Sequence, residues 1–116
     1  LEINTYNHYK ITNMDAQVTD QEISSTSSYV QMITGNRPCI MRPPTGATDD
    51  VSCANVAAVD DGYPLIMWCV DTIDWQHHDV ATTCDTIRSK VKDGAIVLMH
   101  DMEASSAQAS QIIIQN

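Results

Sequence analysis

Basic residues are scarce in this chain. Six Lys and Arg stand against 15 Asp and Glu in 116 residues, for a formal charge of −9. Phosphate backbones are bound by basic faces, so nucleic acid is not the expected partner. Neutral or cationic substrates suit the charge better, and acidity also serves solubility. No apolar run approaches the roughly 18 residues that span a bilayer, so no membrane segment is expected. No basic n-region followed by an apolar h-region opens the chain. Leu1-Glu2-Ile3 has no cap, turn or lead-in, so the chain is expected to begin inside a strand. Gly/Ser linkers and low-complexity tracts are missing, which leaves one small domain. The four cysteines, Cys39, Cys53, Cys69 and Cys84, contain no C-x-x-C, so a zinc knuckle is not expected. All three disulfide pairings stay open. Cys39 and Cys69 lie in apolar runs and read as free, buried thiols.

What is present is a repeating order of short apolar runs and amphipathic stretches. Leu1–Ile3 reads as a strand, followed by a polar loop to Ala16. Thr19-Asp20-Gln21-Glu22 has the pattern of a capping box, which predicts a helix from there to Thr34 with Gly35 just past its end. Ile23, Val30 and Ile33, with Ser27 between them, form its buried stripe. Cys39-Ile40-Met41 is the second strand, stopped by Pro43-Pro44-Thr45-Gly46 because proline cannot continue a ladder. Asp49 or Asp50 caps a second helix through Val51 to Val59, and Asp60-Asp61-Gly62 stops it. Pro64 to Val70 is the third strand, and Asp71 to His78 the loop after it. Asp79 caps a third helix that buries Val80, Cys84, Ile87 and Val91. Ala95 to Met99 is the fourth strand, and Ser105 or Ser106 caps the last helix.

Four successive βα units predict an α/β fold with a parallel sheet and right-handed crossovers. A full (β/α) barrel needs about 200 or more residues, so residues 1–116 are expected to be a single partial domain, half of a barrel, truncated at both ends. Such a half leaves sheet edges unpaired, which predicts self-association or cover from a missing N-terminal half.

In parallel α/β folds the chemistry sits at the C-terminal ends of the strands. Here those ends carry His8, Arg42, the cluster Asp71, Asp74 and Trp75, and the pair His100 and Asp101. Taken one at a time, each is explained by surface or loop-capping roles. Polar groups closing several successive apolar strands point instead to a shared site. His77 and His78 are adjacent and project differently, which suits loop surface better than a common metal.

These stretches, in this order, resemble the motifs of the polysaccharide deacetylases, the NodB-homology type also called carbohydrate esterase family 4. Asn4-Thr5-Tyr6-Asn7-His8 resembles the family's H-[ST]-x-x-H zinc motif. Arg42-Pro43-Pro44-Thr45-Gly46 resembles R-P-P-Y-G, approached by Ile33-Thr34-Gly35-Asn36-Arg37-Pro38. Asp71-Thr72-Ile73-Asp74-Trp75 matches D-x-x-D-W, and Leu98-Met99-His100-Asp101 matches L-x-H-D. The resemblance covers nearly all of the chain. It implies a distorted (β/α) barrel and a metal-dependent hydrolase that removes N- or O-acetyl groups from carbohydrate outside the cell or at its surface. In such a site zinc polarises the acetyl carbonyl and activates water. Carried onto this chain, His8 is a metal ligand, His100 the general acid and Asp74 its orienting partner. Arg42 holds the base aspartate, the backbone N–H of Thr45 faces the oxyanion, and Trp75 and Leu98 wall the acetyl pocket. Tyr6 is a further sugar contact.

The sequence also departs from the pattern. The family's T-F-D-D-G stretch, source of the base and of one zinc ligand, is missing. Asn4 stands where the first zinc histidine belongs, or that position is deleted. Thr45 replaces tyrosine. A deacetylase whose remaining residues lie elsewhere is therefore one reading. The other is a metal-free, carbohydrate-binding remnant that would use Trp75 and Tyr6. A third reading, a scaffold without sugar chemistry, sits poorly with two intact motifs.

Overall fold

A computed structural model describes residues 1–59 and 62–115. The expected helix stop at Asp60-Asp61 lies outside the described residues. The chain divides into two compact units, residues 1–67 and 68–116.

In the first unit β1 (Glu2–Ile3) pairs in parallel with β2 (Ile40–Met41), and Met41 makes a further parallel bridge to Leu65. Between the two strands runs α1 (Ala16–Thr34). It starts one turn earlier than the capping-box reading, because Asp15 is the N-cap and its carboxylate accepts the Val18 N–H at 2.8 Å. It ends at Gly35, whose φ of 75° is the left-handed conformation glycine adopts at little cost, with its N–H on the Gln31 carbonyl. Thr19, Glu22, Ile23 and Ser27 are its buried residues, whereas Ile33 is 79% exposed and drops out of the expected stripe. After β2 the chain turns through Pro44–Gly46 into α2 (Asp50–Ala57). Asp49 and Ser52 form a reciprocal capping box there, at 2.7 and 2.9 Å. The core is Ile3, Ile11, Ile23, Met41, Val56, Val59 and Tyr63, with Met14, Val30 and Leu65 packed on it.

The second unit begins within the expected third strand. Of Pro64–Val70, only the last residue joins Asp71 in β3 (Val70–Asp71), which pairs in parallel with β4 (Val97–Leu98). The expected loop from Asp71 to His78 contains a single helical turn, α3 (Asp74–His77). Asp79 caps α4 (Val80–Lys90) by accepting the Thr82 N–H at 2.7 Å. The last helix, α5 (Ala104–Gln115), packs on α4, with Thr83, Cys84, Ile87 and Ala109 buried. Val91 is exposed and leaves the predicted face. The expected burial of Cys39 and Cys69 does not hold. Cys84, inside α4, is buried, while Cys39, Cys53 and Cys69 are exposed, and all four are free.

Candidate active site

The second unit holds a buried polar cluster, built where β3 and β4 stop. Asp74 opens α3, is 0% exposed, and takes four hydrogen bonds. Its Oδ1 accepts from the Trp75 N–H at 3.0 Å and from His100 Nδ1 at 2.7 Å. Its Oδ2 accepts from the His100 N–H at 2.6 Å and from the Ser106 hydroxyl. Burial pushes the carboxyl up. The Ser106 hydroxyl, the His100 amide and the His100 ring outweigh that, and hold it well below the ordinary 3.8, at about 2. Asp74 is thus an anion that the fold has fully partnered, as a buried charge must be. The contact fixes the His100 tautomer: with Nδ1–H on the carboxylate, Nε2 is the nitrogen left for exchange chemistry. His100 is half-buried, and a pocket of about 190 Å³ is lined by Met99, His100, Asp101, Ser106, Ala107 and Ser110.

The loop between β3 and α3 is built to present this pair. Thr72 is buried and donates its hydroxyl to the Leu98 carbonyl at 2.8 Å, tying the two strand ends together. Asp71 accepts the Ile73 N–H at 3.0 Å, which closes a turn with Ile73 at φ 54°. A β-branched residue there is strained. Trp75 projects from the same turn and is 55% exposed, while Leu98 is half-buried. The two neighbouring histidines prove different from one another. His77 is half-buried, with Nε2 2.9 Å from the Thr72 carbonyl and Nδ1 accepting the Asp79 N–H at 3.0 Å, so its ring braces the loop and is not plain surface. His78 is exposed and lies 2.7 Å from Glu103 Oε2 through Nδ1.

In the first unit, the Asn4–His8 segment follows β1. Its shape comes from a residue the sequence reading assigned to a helix cap. Glu22, on α1 and only 8% exposed, accepts the Tyr6 and Asn7 N–H groups at 2.8 Å each through Oε2, and the Asn7 side-chain amide through Oε1. Thr19, its supposed partner, is buried inside the helix. Thr5 and His8 both take left-handed backbone conformations, and His8 is exposed. Tyr6 stacks at a tilt on Tyr29, ring centres 5.8 Å apart. Arg42, just past β2, forms an ion pair with Glu2, Nε 3.1 Å from Oε1. Thr45 is exposed at φ 60°.

The donors among the described residues do not form a zinc site by themselves. Among the described residues no group of three or more His, Cys, Asp or Glu is placed to hold a metal ion. His8 is the one expected ligand present, and Asn4 offers only a buried amide oxygen without a protein partner. Zinc sites take three or four ligands, so no step is derived through a metal here.

The polysaccharide deacetylase family model matches residues 1–65, more than half of the 116 residues, and the chain belongs to that family. It is 34% identical over 103 residues to the peptidoglycan-N-acetylglucosamine deacetylase PgdA of Listeria monocytogenes, a match over 89% of this chain and 21% of the relative. It superposes on a T48 deacetylase solved with substrate, with TM-score 0.88 and 35% identity, over 97% of this chain and 54% of the other. It superposes equally, with TM-score 0.88 and 26% identity, on a CE4 family pseudoenzyme from Bacillus anthracis, over 97% of this chain and 39% of the other. The chain therefore spans about a fifth of the Listeria relative and about half of the T48 deacetylase. The mixed α/β architecture with parallel strands is that of these solved structures.

Two site features carried no sequence signal that pointed to their place. Ser106 looked like a helix cap, and Glu22 like the far end of a capping box. Both instead turn inward to hold a motif loop or a motif carboxylate.

Proposed function

We propose that this chain supplies the acid side of a hydrolase that removes N- or O-acetyl groups from carbohydrate. The observation that carries the reading is the buried Asp74 carboxylate hydrogen-bonded to both the ring and the amide of His100, in a member of the polysaccharide deacetylase family. In this reading His100 delivers a proton from Nε2 to the departing amine or alcohol, and Asp74 keeps the ring turned so that Nε2 faces the bond that breaks. Arg42 steadies the base aspartate, a residue that residues 1–116 do not include in the family's T-F-D-D-G form. The Thr45 N–H faces the oxyanion, Trp75 and Leu98 flank the acetyl methyl, and Tyr6 contacts the sugar. The four βα units are then half of a distorted (β/α) barrel, completed by further chain or by a partner copy. The Listeria relative makes peptidoglycan N-acetylglucosamine the first substrate to try, and cell-surface or extracellular action goes with it.

A second reading has its own support. Among the described residues no group of donors is placed to hold zinc, and a relative of this architecture is a pseudoenzyme. On that reading the chain is a metal-free module that grips acetylated sugar without turning it over.

One experiment separates the two. Residues 1–116 replace the equivalent segment of the Listeria deacetylase, and acetate release from N-acetylglucosamine oligomers is measured alongside sugar binding. Release above the buffer blank, lost on His100→Ala, supports the hydrolase. A folded chimera that binds the oligomer and releases nothing supports the binding module.

A further inference from the structure

Asp74 owes three of its four hydrogen bonds to its own turn and to His100. The fourth comes from a different element. Ser106 lies in the first turn of α5, is 2% exposed, and donates its hydroxyl to Asp74 Oδ2. A carboxylate held only by His100 and the adjacent Trp75 amide keeps freedom to tilt about its Cβ–Cγ bond. A further donor arriving on Oδ2 from α5 restricts that tilt, and with it the plane in which Oδ1 meets the ring. The helix does not need Ser106 in order to stay where it is. α5 packs on α4, Ala109 is buried, and Cys84 Sγ lies 3.9 Å from the Ala109 carbonyl. Glu103, just ahead of α5, also meets His78.

We propose that Ser106 is a positioning residue. Its hydroxyl locks the plane of the Asp74 carboxylate so that Oδ1 stays on His100 Nδ1 and the ring cannot turn away. The consequence for turnover rests on the deacetylase reading, whereas the locking itself is a property of this chain.

Nuclear magnetic resonance of the chain tests it, by following the Asp74 carboxyl carbon through an acid titration and the solvent exchange of the His100 Nδ1 proton. In the parent, Asp74 titrates near 2. In Ser106→Ala its midpoint moves up toward the ordinary 3.8, and the Nδ1 proton exchanges about tenfold faster. Ser106→Thr, which keeps the hydroxyl, restores both. Ser106→Cys, close in size but a weak donor, gives the same result as alanine should the alanine variant unfold. A folded Ser106→Ala or Ser106→Cys chain with unchanged midpoint and exchange overturns the proposal. Neither readout needs catalysis, so absent acetate release counts against the deacetylase reading and leaves this one standing.

Discussion

The Asp74 carboxylate binds His100 at two points, the ring through Oδ1 at 2.7 Å and the main chain through Oδ2 at 2.6 Å. One side chain thereby fixes both where the strand end sits and how its imidazole is turned. A histidine at the end of a two-residue strand would otherwise sample several rotamers.

Acid should weaken the fold through this carboxylate. Its native value, about 2, lies below the ordinary 3.8. Its contribution, about 2 kcal/mol, is therefore complete above pH 3.8 and is lost as pH falls toward 2, where the unfolded chain binds the proton first. The capping carboxyls Asp49, held down by the Ser52 amide and hydroxyl, and Asp79, held down by the Thr82 hydroxyl and amide, act in the same direction. Urea unfolding at pH 6 and at pH 2.5 measures the loss. Asp74→Asn should be less stable at pH 6 and show a smaller drop on acidification. An equal drop in parent and variant would remove Asp74 as its source.

Glu22→Leu should loosen the Tyr6–His8 loop. Leucine removes both acceptor oxygens and leaves the Tyr6 and Asn7 N–H groups without their side-chain partner. The cost expected is about 1–3 kcal/mol, with faster hydrogen exchange at the Tyr6 and Asn7 amides. Exchange rates unchanged at those two amides would contradict the anchoring role.

Backbone strain at the motif turns gives a third test. Ile73 sits at φ 54° and is 43% exposed, so Ile73→Gly removes strain and gives up the covered part of the side chain. Left-handed backbone costs a non-glycine residue roughly 1–2 kcal/mol, against about 0.5–1 kcal/mol for the added freedom of glycine. With the lost burial included, the variant should stay within about 1 kcal/mol of the parent in urea. Gly35→Ala should destabilise the chain by about 1 kcal/mol, since a new Cβ meets nothing within 4 Å and the cost is all backbone. Clear destabilisation of Ile73→Gly would mean that its side chain does more than its exposure suggests.

Zinc content of the purified chain, by elemental analysis, should fall well below one per protomer, because His8 has no companion ligands among the described residues. Stoichiometric zinc would contradict this and show that His8 is joined by further ligands, from this chain or from a second copy.

Legibility followed how local each cause was. Gly35 and the Asp49 and Asp79 caps were readable, because a cap is set by residues a few positions apart. The start of α1 was misplaced by one turn, because Thr19-x-x-Glu22 satisfies the same pattern as a capping box, while Asp15 did the capping and Glu22 turned to the Tyr6 loop. The third strand was overextended, since an apolar run does not show which residues find a ladder partner. Leu65 bridges Met41 in one unit, and Val70–Asp71 pair with β4 in the other. Asp74 and His100 could be picked out from their motifs. Ser106 and the bracing role of His77 could not, because each depends on contacts between elements far apart in sequence.

The most direct test is the leaving-group dependence of His100→Ala in the chimera with the Listeria deacetylase. A general acid matters when the departing group is a poor one and little when it is already stable. The account predicts a loss of about 10²–10⁴-fold on N-acetylglucosamine oligomers, whose amine must be protonated, and a much smaller loss on 4-nitrophenyl acetate. Equal losses on both substrates, or no loss on the oligomers, would contradict the assignment of His100 as the acid.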